Sequence, residues 1–416
     1  MATVSALRCL RCRADYPPSH YADDCPACRR LVRSNLEVIY ADPVTLVRPG
    51  ADGARSGLWR YGDVLPVAQD HAVSLGEGDT PLHRLTRVGD KLGLNNLFGK
   101  DESRSPTWSF KDRLACIAVS TAKQLGASTI VSSSTGNAGA AAAAYASKAG
   151  IPCVIFTVHG TAGPMITQMR AYGAKVVAVR NKPERWRLMA HAVKEYGWFP
   201  TSPFFGPVVG SNPYGIEGYK TLAYEIVEQL GWRVPDWCIL PVCYGDALVG
   251  MWRGFSEMLS AGWIDHMPRL AAAEVYGSLH AAMSNNLDAP PDIPKSFVSV
   301  AASIGATQGT FQALDMLRKS QGSAVQASND DMMRWQQILA AEEGIYVEPS
   351  SAASLAAAEH LKASGLLGAD DIVVSLLTAS GLKDTAATES RLSELLLLPS
   401  DFEEANRVMK SLEIFP

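Results

Sequence analysis

From about residue 36 onward, two textures alternate along the chain. Short, β-branched apolar runs recur at STIVSSS (128–134), IPCVIF (151–156), AKVVAV (174–179), WCILPV (237–242) and DIVVSLL (371–377). Between them lie longer Ala-, Leu- and Gln-rich segments with helical spacing: LACIAVSTAKQLG, AGAAAAAYASKAG, PMITQMRAYGA, GIEGYKTLAYEIVEQLG and SSAASLAAAEHLKASG. Near-continuous apolar strands that alternate with helices and are flanked by glycine predict parallel βαβ units covered on both faces, an α/β fold. No period of 20–50 residues repeats, so solenoids and propellers are excluded. Past Pro399, the segment SDFEEANRVMKSLEIFP predicts a helical arm with Ser400 or Asp401 as N-cap.

The first 35 residues break this texture. They carry CLRC and CPAC, spaced C-x2-C-x12-C-x2-C through Cys9, Cys12, Cys25 and Cys28. Four thiolates in two pairs can close a tetrahedral shell around Zn²⁺, and four sulfurs leave no open position for catalysis. A ribbon this small cannot bury a core, so metal would supply its stability. The other cysteines, Cys116, Cys153, Cys238 and Cys243, stand singly among apolar neighbours. That split argues for reduced thiols over a disulfide framework.

Composition narrows the class. The chain has 416 residues, 47% hydrophobic and 19% charged, with a net charge of −4. This supports two or three packed domains and excludes a disordered chain. No basic field favours nucleic acid or an anionic membrane surface. The longest near-apolar stretch, Ala138 to Ala146, is too short to span a bilayer, and the N-terminus has no long apolar segment of a secretory signal. The expectation is a cytoplasmic enzyme or binding protein.

Three small-residue turns follow apolar runs and open helices: SSSTGNAG, PVCYGDALVG and LLTASGLKD. In a parallel sheet all three lie at the carboxyl ends of strands, where such folds bind ligands, and helix starts there suit phosphate or carboxylate. None is a nucleotide signature. A fourth segment, SPTWSFKDR (105–113), places Lys111 at a helix entry beside Phe110 and Trp108. A lysine among aromatic rings is a candidate for a depressed pKa and imine chemistry.

These segments resemble the signatures of fold-type II pyridoxal-phosphate (PLP) enzymes of the tryptophan synthase β superfamily, and threonine synthase in particular. The likeness runs in order through SLGEGDTPL, LFGKDE, SPTWSFKDR, SSSTGNAG, NPYGIEGYKT, PVCYGDALVG, VAASIGA, EEGIYVEPSSAASLAA and LLTASGLKD. It implies a two-lobed enzyme preceded by a zinc-ribbon-like module. The ribbon would span 1–35, the larger PLP domain 36–111 with 223–398, the smaller α/β domain 112–222, and the arm 399–416. It implies that Lys111 holds PLP as an imine and that Asn137 meets the cofactor's phenolic oxygen. Cys243, Tyr244, Gly245, Asp246 and Ala247 would cradle its phosphate, and Thr378 would face the ring nitrogen. Ser134, Thr135 and Gly136 would receive the carboxylate of a small amino-acid substrate, with Trp108 beside the lysine. Dimers are common in the family, so a homodimer is expected. Asp112, Arg113 and Lys383 are expected to form structural ion pairs.

The sequence departs from threonine synthase where that enzyme needs cations for a phosphorylated substrate. Gly215 stands where the arginine of NPxR is usual, Met165 where a lysine is usual, and Ser380 where a histidine is usual. Trp108 replaces the glycine of PTGSFKDR. Trp108, Tyr244, Met165 and Tyr214 would make the pocket more apolar. His159 or Arg170 would have to compensate if a phosphate is bound. The expectation is α-proton abstraction, then β- or γ-elimination or replacement on an amino acid other than O-phosphohomoserine. True threonine synthase, a threonine or serine dehydratase, and a silent paralogue are the alternatives.

Overall fold

The computed structural model describes residues 3–18, 24–42, 46, 56–161 and 163–412. Part of the loop between the cysteine pairs, residues 19–23, and the end of the expected arm, residues 413–416, lie outside the described residues. The chain divides into two compact units, 1–384 and 385–416.

The first unit opens with an antiparallel ribbon of β1 (Val4–Cys9), β2 (Asp15–Tyr16) and β3 (Leu36–Tyr40), in the order β2-β1-β3. Its third strand lies beyond the boundary expected at residue 35. Leu7, Leu36 and Val38 pack there with Cys9, Cys25, Cys28 and Tyr214.

The chain then lays down β4 (Leu82–Arg84), α1 (Thr86–Leu92), β5 (Asn96–Asp101) and α2 (Lys111–Gln124). Next come β6 (Ile130–Ser133), α3 (Asn137–Ala149), β7 (Cys153–Val158), α4 (Gly163–Ala171), β8 (Lys175–Val179), α5 (Lys182–Tyr196) and β9 (Phe199–Pro200). It returns through α6 (Pro213–Ile216), a 3₁₀ turn and α7 (Lys220–Gln229). The remaining elements are β10 (Trp237–Pro241), α8 (Asp246–Ser260), β11 (Arg269–Glu274), α9 (Ser278–Ser284), α10 (Phe311–Lys319), β12 (Ser323–Gln326), α11 (Asn329–Glu343), α12 (Pro349–Ala363) and β13 (Ile372–Leu377).

Two sheets result. One has six strands in the order β12-β11-β10-β13-β5-β4, parallel except for the antiparallel edge β4. The other has four parallel strands in the order β8-β7-β6-β9. Covered on both faces, the central strands are buried along their length, as in β10, where all five residues are buried. The alanines of α12 let it sit inside the larger sheet's core, buried on nearly every side from Pro349 to Ala358.

The segment GIEGYKTLAYEIVEQLG reads as one helix but is broken at Glu217–Tyr219. Gly215 and Gly218 press against α2 there; a Cβ on Gly218 would lie 2.0 Å from the Arg113 carbonyl oxygen. The same contact is locked by charge. Arg113, fully buried, donates to Glu102 at 2.8 Å and to Glu225 at 2.7 Å, and Lys100 meets Glu225 at 2.7 Å.

The second unit contains α13 (Ala386–Glu389) and α14 (Phe402–Ser411), whose N-cap Asp401 accepts from the Glu404 N–H at 2.9 Å. Leu395, Leu397 and Phe402 are exposed. Among the described residues no helix is long and apolar enough to cross a membrane.

Candidate active site

Three strand-to-helix turns and the start of α2 meet at one cavity of about 510 Å³. The meeting is set by backbone pairing. Ser109 bridges to Ala379, and the Phe110 N–H donates to the Thr378 carbonyl at 2.9 Å. This lays the segment before α2 across the end of β13, so Lys111 and Thr378 line the same cavity. Lys111 Nζ sits 4.6 Å from the Phe110 ring centre and 5.7 Å from that of Tyr219.

The turn after β6 contributes Ser134, Thr135, Gly136 and Asn137. The Ser134 hydroxyl accepts from the N–H groups of Gly136 at 3.2 Å and Gly139 at 2.9 Å, organising the start of α3. Asn137 Nδ2 donates to Glu348 at 3.1 Å, while its Oδ1 is buried with no hydrogen-bond partner among the described residues. The Ser133 hydroxyl, also on the cavity wall, is likewise unpartnered. At the end of β13 the Thr378 hydroxyl pairs with that of Ser351 at 2.8 Å.

The turn after β10 contributes Cys243 to Ala247. Gly245 holds φ +82°, and a Cβ there would lie 2.4 Å from that of Ala313, so only glycine fits this approach. Asp246 opens α8, with its carboxylate 3.2 Å from the Ser211 N–H through each oxygen. Burial pushes its pKa up, and Lys111 opposes that shift.

This donor set fits PLP. A half-buried lysine faces the cavity, the free N–H groups of a helix start suit a phosphate, and buried polar atoms on Asn137 and Ser133 have no partner among the described residues. A profile described as pyridoxal-phosphate dependent enzyme matches residues 73–379. The chain belongs to this family. It is 32% identical to a threonine synthase of Methanocaldococcus jannaschii over 414 residues, covering 97% of this chain and 99% of that one. It is 33% identical to a threonine synthase of Methanosarcina acetivorans, covering 91% and 92%. Among solved structures, maize serine racemase aligns with a TM-score of 0.64 at 22% identity over 75% of this chain and 91% of that one. A threonine deaminase of Solanum lycopersicum aligns at 0.63 and 18% identity over 90% and 98%. The fold-type II architecture expected from the sequence is thereby shown.

Several side chains of this PLP enzyme lie elsewhere than the sequence suggests. Lys111 is not depressed: burial alone would lower it, but Tyr219, Asp246 and Cys243 outweigh burial and hold its pKa up. Trp108 is 51% exposed and lies outside the cavity lining. Its φ is +65°, the left-handed backbone that explains the family's glycine at this position. Tyr214 packs in the ribbon core and donates its hydroxyl to Pro18, so it does not line the pocket. Gly215 faces α2, where an added Cβ would meet the Leu114 carbonyl oxygen at 3.0 Å. Met165 and Tyr244 do line the cavity, as does His159, but Arg170 does not.

Of the three expected ion-pair formers, only Arg113 is one among the described residues. Asp112 accepts from Thr107 N–H at 2.7 Å and hydroxyl at 2.6 Å, and burial pushes its pKa to about 7. Lys383 lines the cavity, donates to the Thr107 carbonyl at 2.7 Å, and is lowered by burial to about 8. Sequence reasoning missed Glu348, Lys182 and Arg185 on the cavity wall. A signal for the last two exists: two cations in the first turn of a helix sit against its dipole.

In the ribbon, the sulfurs of Cys9, Cys12, Cys25 and Cys28 all lie within 4.8 Å of one another. Cys9 and Cys28 are 3.8 Å apart, and Cys12 and Cys25 3.6 Å. A tetrahedron with metal–sulfur bonds of about 2.3 Å has edges of about 3.8 Å. The N–H groups of Arg11 and Cys12 both point at Cys9 Sγ, at 3.3 Å each. The four thiols can hold one metal ion.

Proposed function

We propose that the enzyme removes the α-proton of an L-amino acid and then eliminates or replaces a group at Cβ or Cγ. The carrying observation is Lys111, half-buried on the cavity wall that also bears the Thr378 hydroxyl. When bound, PLP supplies the electron sink that makes the α-proton acidic. Lys111 Nζ accepts that proton and returns it to carbon or to the leaving group. The start of α3, with Ser134, Thr135 and Gly136, receives the substrate carboxylate. The N–H groups of Cys243 to Ala247 would hold the cofactor's phosphate, and Asn137 would help hold its ring. Thr378 would offer the cofactor's ring a neutral hydroxyl in place of an acid, which would leave the ring nitrogen unprotonated and favour elimination or replacement over transamination.

Purified protein should show the visible absorbance of lysine-bound cofactor, and amino acids that bind should change it. Lys111→Ala should lose both signals. A protein that takes up no cofactor would refute the reading, as would a protonated ring nitrogen for the role of Thr378.

A second reading, threonine synthesis from O-phosphohomoserine, is favoured by the near full-length similarity to threonine synthases. Of the two positions where threonine synthases carry a cation and this chain does not, Met165 lines the cavity and Gly215 does not. Release of phosphate with formation of threonine would establish it.

We also propose that the four ribbon cysteines hold one structural zinc. The Asn35 side chain donates to the Ser211 carbonyl at 3.0 Å, and the Ser211 N–H holds Asp246. Metal analysis should therefore find one zinc per chain, and chelation should weaken cofactor binding. Metal-free protein with four reactive thiols and full cofactor affinity would contradict this. The exposed Leu395 and Leu397 support the expected homodimer, which light scattering reads directly. The cytoplasm, where thiols stay reduced, is the compartment this account implies.

A further inference from the structure

Tyr219 has no part in the chemistry above, yet it stands directly behind the reactive lysine. It closes the 3₁₀ turn Glu217–Tyr219 and is fully buried. Two neighbours fix it. Its ring packs on that of Phe110, with centres 5.1 Å apart. From the other side α8 presses on its root, where a Cβ added to Gly250 would lie 2.4 Å from the Tyr219 Cβ. Gly250 stands one helical turn after Asp246, so the helix that opens beside Lys111 also holds the tyrosine. Tyr219 is not among the residues that line the cavity, so it acts on the reaction only through Lys111.

The Tyr219 hydroxyl is buried with no hydrogen-bond partner among the described residues. Such a hydroxyl is costly unless a polar group comes within reach of it. Lys111 is that group: its Nζ lies 5.7 Å from the Tyr219 ring centre. Each also bears on the other's titration. Burial pushes Tyr219 up to about 12 while Lys111 pulls it down, and Tyr219 in turn raises Lys111. The other titratable groups at the pair are Asp246 and Cys243 facing Lys111, and Asp246 and Glu102 facing Tyr219. Glu102 is neutralised by Arg113, and Asp246 is held by the Ser211 N–H. The phenol is therefore neutral at physiological pH.

We propose that Tyr219 is the positioning residue of Lys111: its hydroxyl holds Nζ in both protonation states whenever the lysine is free of the cofactor. A hydroxyl can do this because its oxygen accepts from an ammonium and its O–H donates to a neutral amine. A phenyl ring does neither, and a carboxylate only accepts. The bond from the ammonium is charge-assisted and the stronger of the two, so Tyr219 keeps the abstracted α-proton on Nζ until it is returned. Tyr219 retains its own proton throughout. This rests on the function proposed above, in which Nζ carries the α-proton.

The test follows uptake of saturating PLP by cofactor-free protein between pH 7 and pH 9, read as growth of the visible absorbance of lysine-bound cofactor. Only neutral Nζ attacks the cofactor's aldehyde carbon. Removing the hydroxyl lowers the proton affinity of Lys111, so Tyr219→Phe should take up PLP about tenfold faster than the wild type at each pH. In loaded protein the same variant should slow the saturated rate of α-hydrogen exchange by about tenfold or more, with amino-acid KM within about twofold. A merely structural role slows both rates or neither. Uptake no faster than in the wild type would overturn the proposal, and so would an unchanged exchange rate. Incorporating 3-fluorotyrosine at position 219 keeps the shape and weakens the oxygen as an acceptor. It should speed uptake by a smaller factor, and an unchanged rate there would overturn the proposal even if Tyr219→Phe does not fold. If loaded wild type exchanges no amino acid, the proposed reaction fails, while the uptake rates still read the contact between Tyr219 and Lys111.

Discussion

Gly245→Ala tests the phosphate cradle through a single methyl group. The added Cβ would stand 2.4 Å from the Ala313 Cβ, on a backbone with φ +82°. Left-handed backbone costs an L residue about 1–2 kcal/mol, and overpacking about 1–3 kcal/mol. Together these predict a loss of about 2–5 kcal/mol, part of which is relieved by shifting the turn. Any such shift moves the N–H groups that meet the phosphate, so PLP affinity should fall by at least about tenfold, or 1.4 kcal/mol. The control is Gly150→Ala, at φ +69° with nothing within 4 Å of the new Cβ. It should show only the backbone cost and no change in PLP affinity. Urea denaturation and cofactor titration measure both quantities. The reasoning fails if Gly245→Ala matches Gly150→Ala in stability and the wild type in PLP affinity.

Three further outcomes are expected. Arg113→Met leaves Glu102 buried without its cation and Glu225 with Lys100 alone, and should cost about 3–5 kcal/mol in urea denaturation; a loss under about 1 kcal/mol would contradict the network's role. Trp108→Gly removes an exposed indole and relaxes its left-handed backbone. It should raise stability by about 1 kcal/mol at most, with substrate KM unchanged, whereas a raised KM would return the indole to the pocket. Lys383 titrates near 8 when folded and near 10.5 when unfolded. Between those values the unfolded chain binds more protons, so this residue's contribution to stability rises with pH across that window and is at its most unfavourable below it. The stability difference between wild type and Lys383→Met should shift toward wild type from pH 8 to pH 10, and a flat difference would refute the assignment.

What the sequence revealed depended on whether the signal was local. β10 and β13 were legible because buried parallel strands favour β-branched residues. β11, whose core is Leu270 to Ala273, was not, because alanine carries no strand preference and only its packing against α12 makes it one. Lys111, Asn137 and Gly245 were legible because turn, helix start and chemistry coincide within a few residues. Tyr214 and Gly215 misled because the ribbon core and α2, far away in the chain, decide where they point. Trp108 misled through its backbone: a φ of +65° turns the indole out of the cavity. Lys182 and Arg185 became visible only when the fold placed both on the cavity wall.

The central claim is that Lys111 moves the proton at Cα. Its most direct test is exchange of α-hydrogen in D₂O, followed by proton NMR across a panel of L-amino acids with the cofactor-loaded protein. The α-proton signal of at least one amino acid should be lost in the wild type and of none in cofactor-supplied Lys111→Ala. Exchange at the wild-type rate in Lys111→Ala, or no exchange of any amino acid in loaded wild type, would contradict it.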